Sequence, residues 1–248
     1  MQERQKMDTQ LNRMCLEVLH CKSVKEFSQH LVDFVHSVGL STVAATVITD
    51  HSLALTEFQS VTNAPSGYLP AFEDLNACKR DPVSQHCKRS STPIVWNQDF
   101  YVANGREDYW EHQAAFGYQS GISVAFHLPR GRHFMFGVDS PLRSCGSGKQ
   151  LRDLAADIHH FAGYAQAAAF DFCMPYDQGA DRTDLAKSEL DALRRSMDGL
   201  SNWEVGQQMG ISETEVTLRL RRSMFKLGCA NKYETALRAI RLGLITCV

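Results

Sequence analysis

Leu200–Leu227 reads LSNWEVGQQMGISETEVTLRLRRSMFKL, and within it one helix-start signal is written twice. Ser201-Asn202-Trp203-Glu204 and Ser212-Glu213-Thr214-Glu215 are both S-x-x-E capping boxes. In such a box the serine oxygen accepts the amide hydrogen three residues on, and the glutamate reaches back to the serine amide. Each box is flanked by a hydrophobic staple, Leu200 with Val205 and Ile211 with Val216. Gly210 stands where a short helix must end in a left-handed residue. The spacing predicts a helix of about two turns, a tight turn and a second helix starting at once, which is a helix-turn-helix. The second helix carries Arg219, Arg221, Arg222 and Lys226 against one internal acid, Glu215. A short basic helix of this kind suits the major groove of DNA.

The same helix predicts which residues face which way. Val216, Leu220, Ser223, Met224 and Leu227 recur at helical spacing and should face inward. Thr214, Thr217, Leu218, Arg221 and Arg222 fall on the opposite face. Arginine bridges guanine O6 and N7, a contact worth about 1–3 kcal/mol of discrimination. The arginines of that face are therefore candidates for a base edge, with Arg219 and Lys226 on phosphates or folded back onto the domain.

Composition sets the limits. The 248 residues carry a net charge of −2 and 44% apolar residues, enough for one large core or two modest ones and against wholesale disorder. Residues 184–248 hold 10 basic against 8 acidic side chains, leaving 16 against 20 in the remainder. The positive excess is thus gathered where phosphates would be met. No run approaches the roughly 20 apolar residues of a membrane span, and the start of the chain lacks a signal-peptide stretch. A soluble cytoplasmic protein without membrane association is expected. Cys15, Cys21, Cys78, Cys87, Cys145, Cys173, Cys229 and Cys247 are scattered without C-x-x-C spacing, so reduced thiols are expected, with no metal site. There is no G-x-S-x-G, no phosphate-cradling glycine loop and no H-E-x-x-H, so no catalytic residue is assigned. Asp157-Ile158-His159-His160 reads as a surface patch or dimer seam.

Ahead of the tail, helical periodicity marks residues 11–20, 24–38, 81–89, 106–116 and 149–172, with a short helix at 64–75. Strands are expected at 41–49, 53–59, 122–128 and 133–139, the first pair turning at Asp50-His51-Ser52 and the second at Pro129-Arg130-Gly131-Arg132. The expected organisation is α+β: residues 1–172 form an α/β/α sandwich about a sheet of about five antiparallel strands. A linker at 173–183 leads to an all-α four-helix domain at 184–248.

Leu185-Ala-Lys-Ser-Glu189, Leu193, Gly199, Glu204-Val205, Ile211-Ser212-Glu213, Val216, Lys226-Leu227 and Gly243-Leu244-Ile245 keep the order and spacing of the LuxR-type DNA-binding domain, which this segment resembles without a gap. Residues 1–172 resemble, more loosely, the acyl-homoserine-lactone-binding domain of the same quorum-sensing regulators, through Asp81-Pro82, Trp96, Tyr109-Trp110-Glu111 and Gly117 followed by Gly121-Ile122-Ser123. The resemblance implies a transcription factor that binds a small acylated signal, forms a homodimer and recognises twofold-symmetric promoter DNA. RNA polymerase is a further partner of this reading. An interaction protein that pairs with a related activator and blocks it is the alternative. A phosphorylation-controlled receiver domain fits poorly, because the chain lacks an early acidic pair on a strand end.

A buried lactone head must have its carbonyls and amide N–H hydrogen-bonded, or burial costs several kcal/mol. By resemblance, Asp81 takes the amide N–H, although Asp-Pro is also a common helix start. By the same resemblance Trp96 walls the lactone ring, although a plain core position suits it equally, Trp110 closes the same pocket, Ser123 bonds an acyl carbonyl and Ala44 lies beside the chain. The family's lactone-binding tryptophan is Tyr68 here, and its amide-binding tyrosine is Phe72, which cannot donate. A lost hydrogen bond is worth about 0.5–1.5 kcal/mol, so three readings stay open: a homoserine lactone or a variant of one, a different small molecule, or no signal. By the same resemblance Arg221 is the expected base contact, while Thr217, Arg219 and Arg222 depart from the family's basic or polar residue, histidine and asparagine, which implies an altered operator or weaker binding. Ala186 stands where a capping Thr or Ser is usual.

Overall fold

The computed structural model describes residues 2–50, 56–65, 79–129, 131–142, 145–173 and 185–245, with side chains from residue 9 onward except that of Cys173. The chain divides into two compact units, residues 1–128 with 132–176, and 177–248 with 129–131. The expected helix at 64–75 and the linker fall largely outside the described residues.

The first unit is built on five strands: β1 (Thr42–Asp50), β2 (Thr56–Thr62), β3 (Ile94–Trp96), β4 (Ser120–Leu128) and β5 (Arg132–Ser140). All pairings are antiparallel, in the order β2-β1-β5-β4-β3. Helices α1 (Gln2–Leu19), α2 (Val24–Ser37) and α6 (Gly148–Cys173) cover one face. The short helices α3 (Pro82–Cys87), α4 (Gln98–Ala103) and α5 (Glu107–Ala114) belong to the other. The α/β/α sandwich expected from the sequence is what forms.

Alternation explains the two faces. Val43, Ala45 and Val47 of β1 pair with Val138, Phe136 and Phe134 of β5 and point at α2 and α6. There Phe34 stacks on Phe161 with ring centroids 3.8 Å apart. Each of these phenylalanines is fully buried, and truncating one to alanine should cost about 3–5 kcal/mol. The intervening residues, Ala44, Thr46 and Ile48 with Gly137, Met135 and His133, face the short helices.

Three boundaries differ from expectation. α1 begins at Gln2 rather than near residue 11, because Gln, Glu, Arg, Lys and Met are good helix formers even without apolar periodicity. β1 runs through Asp50, which pairs with Thr56. The Thr56 hydroxyl donates to Asp50 Oδ1 at 2.7 Å, so a residue that reads as a turn former is held in a strand, and β2 starts three residues late. Third, β3 and α4 were not anticipated: three residues are too few to show alternation, and Asn97 caps α4 by accepting the Phe100 amide at 3.0 Å.

The second unit has four helices: α7 (Lys187–Met197), α8 (Asn202–Met209), α9 (Glu213–Lys226) and α10 (Lys232–Arg241). Leu193, Val205, Val216, Leu220, Leu227 and Ala239 form its buried centre, and both staples, Leu200 with Val205 and Ile211 with Val216, join it. No described helix is long and apolar enough to cross a membrane.

Candidate ligand pocket and nucleic-acid interface

Asp81 opens α3. Its Oδ2 accepts the Ser84 amide at 2.7 Å, capping the helix, and its Oδ1 accepts the Tyr101 hydroxyl at 2.9 Å. The carboxyl is 4% exposed and, among the described residues, has no cation within ion-pair distance. Burying a carboxylate in this way requires hydrogen-bond donors, and each oxygen retains a lone pair for one more. Tyr101 stands edge-on to Trp96, with centroids 6.0 Å apart at 84°. The Trp96 ring lies on Gly121: a Cβ built there would fall 2.5 Å from Trp96 Cζ2 and 2.6 Å from the Val138 carbonyl. Glycine at 121 is therefore what lets the indole lie flat on the sheet. The Trp110 indole donates to the Gln119 carbonyl at 3.0 Å and packs against the same cluster.

Ala44 and Ser123 lie on the same sheet face, both nearly buried. Ser123 sits between Ile94 of β3 and Gly137 of β5. The structure thus brings Ala44, Asp81, Trp96, Trp110 and Ser123 into one layer between the sheet and α3–α5. Tyr68 and Phe72 lie outside the described residues. Tyr101, which shares the Asp81 carboxylate, was missed. Its signal was the Asn97 cap, which sets a helix against Trp96.

At the other end of this face, a cavity of about 360 Å³ lies between α3 and the strands. Its rim carries a chain of polar contacts. His127 Nδ1 and His133 Nδ1 are 2.9 Å apart, and His133 Nε2 lies 3.2 Å from Asp50 Oδ2. His127 also hydrogen-bonds the Cys87 backbone. Burial, followed by the neighbouring His133, pushes the His127 imidazole below its ordinary pKa. On β5, burial raises the Asp139 carboxyl to about 8. Among the described residues no cluster of His, Cys, Asp and Glu suits a metal ion, and Cys15, Cys21, Cys87, Cys145 and Cys229 are free thiols.

The helix-turn-helix forms as the caps require, with one difference. In the first box, Ser201 Oγ accepts the Glu204 amide at 3.3 Å, and Glu204 Oε2 accepts the Ser201 amide at 2.8 Å. In the second, Ser212 Oγ accepts the Glu215 amide at 3.2 Å, but the Glu215 carboxylate turns to Arg219 Nε at 2.9 Å. An i,i+4 arginine outcompetes the serine amide. Gly210 ends α8 at φ +66°, as expected. Gly206 was not singled out, yet a Cβ there would lie 2.7 Å from the Ile211 carbonyl, so its missing side chain sets how closely α8 meets the turn.

On α9 the inward stripe is as predicted, with Ser223 buried and donating to the Arg219 carbonyl at 3.0 Å. Thr214, Leu218, Arg221 and Arg222 are exposed on the outer face, while Thr217 is half-buried and accepts the Asn202 amide nitrogen at 3.1 Å. Phe225, 89% exposed, shares that face and was not predicted there. Lys226 is folded back: its Nζ lies 2.8 Å from Glu189 Oε2, which also accepts the Ala186 amide at 2.8 Å. Hydrogen bonds from Lys226 and the Ala186 backbone outweigh burial and hold the Glu189 carboxyl below its ordinary pKa. Glu189 thereby supplies at the start of α7 part of the capping that Ala186 cannot.

Residues 23–169 match the family described as autoinducer binding domain, and residues 183–239 match bacterial regulatory proteins, luxR family. The transcriptional activator protein LuxR of Aliivibrio fischeri is 22% identical over 247 residues, 95% of this chain and 94% of that protein. The crystal structure of Escherichia coli SdiA superposes with a TM-score of 0.75 at 18% identity, covering 97% of this chain and 99% of that one. A structure of SdiA in complex with octanoyl-rac-glycerol gives 0.74 at 18% identity, with 96% of each chain covered. With a ligand domain matched over most of the sheet unit and a luxR-family match over the helix-turn-helix, the chain belongs to the LuxR family of autoinducer-binding, DNA-binding transcriptional regulators, and is not an enzyme.

Proposed function

We propose that the chain senses an acylated signal, an N-acyl-homoserine lactone or a close variant, in the layer between the sheet and α3–α5, and as a homodimer binds twofold-symmetric promoter DNA in the cytoplasm. The observation that carries this reading is the buried Asp81 carboxylate, which has Tyr101 and Trp96 beside it and no cation among the described residues. An amide N–H from the signal would complete its hydrogen bonding. Trp96 supplies a flat wall for a ring, and Ala44 and Ser123 line the way for an acyl chain. Loss of the family's donor at Phe72 favours a head that asks for fewer donors. The octanoylglycerol bound by SdiA is consistent with this latitude.

Arg221 is read as the base-contacting residue, with Thr214, Thr217, Leu218 and Arg222 around it. The dimer seam is read along the outward side of α6, through Ala156, His160 and Ala167. The test is expression with and without candidate lactones, followed by mass spectrometry of what co-purifies and a thermal scan. A lactone that co-purifies and raises the midpoint supports the ligand reading. Indifference to every lactone, with nothing retained, overturns it.

A second reading is favoured by the Glu215–Arg219 pair, which removes one cation from the reading helix. On it, the chain acts by pairing with a related activator and blocking it. A gel shift of the purified homodimer separates the two: a true operator binder loses affinity steeply between low and high salt.

A further inference from the structure

The polar rim of the 360 Å³ cavity is a chain of side chains in contact with one another. The chain runs from the Cys87 backbone carbonyl through His127 and His133 to Asp50, with acceptors at both ends. Thr56 spends its hydroxyl on Asp50 as well. Asp50 and both imidazoles thus have their partners within the rim.

Lys88, on the same cavity at the C-terminal end of α3, has no carboxylate partner among the described residues. Ser84 lines the cavity too. It is 1% exposed, and its Oγ has no hydrogen-bond partner. The opposite wall is apolar, made by Ile48, Phe58, Ala125 and Met135. Along β4, Ser123 and His127 are four residues apart, about 13 Å of strand. The cavity runs along α3 from Ser84, beside Asp81, to Lys88 at the far end of that helix, so a chain anchored near Asp81 would end at Lys88. Its wall carries the orphan Ser84 hydroxyl beside apolar side chains, and at its edge stands the solvent-exposed Lys88 ammonium.

We propose that this cavity is a subsite for an anionic terminus of the signal, with Lys88 as its counter-charge and the Asp50–His133–His127 chain as the scaffold that holds the rim open. The proposal rests on the ligand reading above. It adds that the signal is an amphipathic molecule bearing a carboxylate, or a group of like charge, at the far end of its acyl chain.

The test uses the full-length protein and three probes in isothermal titration at pH 7: N-decanoyl-homoserine lactone, the same lactone with a carboxylate on its terminal carbon, and decanoate. The carboxylated lactone should bind about ten- to a hundredfold more tightly than the decanoyl lactone, the worth of a hydrogen bond to a charged group. In Lys88→Met that ratio should fall to near one, and in Lys88→Glu it should invert. The readout is a ratio within each variant, so a general loss of folding does not mimic the effect. Equal binding of the two lactones by the wild type overturns the proposal, as does a ratio indifferent to Lys88. If neither lactone binds, the head reading fails and decanoate decides the subsite alone. Saturable binding weakened about tenfold in Lys88→Met upholds it, and no binding, or binding indifferent to Lys88, overturns it.

Discussion

Replacing Lys226 by methionine separates two roles that the sequence leaves joined. In the structure Lys226 Nζ meets Glu189 Oε2 at 2.8 Å, with the side chains 35% and 5% exposed. Removing one partner of a buried pair costs about 3–5 kcal/mol, because the other charge is stranded. Here the lysine is about one-third exposed and Glu189 keeps the Ala186 amide, so solvent screening brings the cost below that range, to about 1–2 kcal/mol. Urea unfolding of the full chain, followed by far-ultraviolet circular dichroism, measures it. Affinity for operator DNA should keep its salt slope in Lys226→Met, whereas Arg222→Ala should lose about 0.9 per phosphate contact. A variant with undiminished stability and a slope reduced by about one per protomer would refute the argument and put Lys226 on phosphate. The pair also fixes a sign with pH. Because the folded-state pKa of Glu189 is depressed, its contribution is fully present above the unfolded value, near 4.5. It is lost as pH falls through the folded one.

Asp81→Asn should abolish any lactone-induced rise in thermal midpoint while costing the free protein only about 1 kcal/mol, since asparagine still caps α3; an undiminished ligand response would leave Asp81 as a cap alone. Gly121→Ala should destabilise the sheet unit by about 1–3 kcal/mol or more, since its Cβ meets the Trp96 ring and the Val138 carbonyl at once; an unchanged midpoint would show that the indole does not rest there. Gly206→Ala should weaken operator binding in a gel shift while leaving ligand binding intact, because the new Cβ runs into the turn backbone. Asp139, raised to about 8, makes folding favour its protonated form. Its burial therefore costs stability increasingly as pH rises from about 4 to about 8. Asp139→Asn should gain more stability at pH 8 than at pH 5, and an equal gain at both would show that the carboxyl titrates normally.

The helix-turn-helix was legible because its signals are local: two serine caps, two staples and one left-handed glycine each act within five residues. What the sequence hid was competition for a side chain. Glu215 satisfies a capping box on paper, but Arg219 lies one turn away and takes it. Lys226 reads as a phosphate contact until the fold brings Glu189, 37 positions earlier, against it. On the sheet, His127 and His133 look unrelated until the hairpin register sets them directly opposite. Asp50 reads as a turn former until that register supplies its partner. Tyr101 was missed because α4 hangs on a three-residue strand that shows no period.

The chain's three tryptophans fall in three different surroundings: Trp96 4% exposed, Trp110 part-buried and tied to Gln119, and Trp203 59% exposed on α8. The molecule therefore comes with its own optical labels. Iodide should quench the red-shifted emission of Trp203 first and leave the blue-shifted emission of Trp96. Signal capture in one unit and operator engagement in the other become visible in a single cuvette, with nothing attached to the protein.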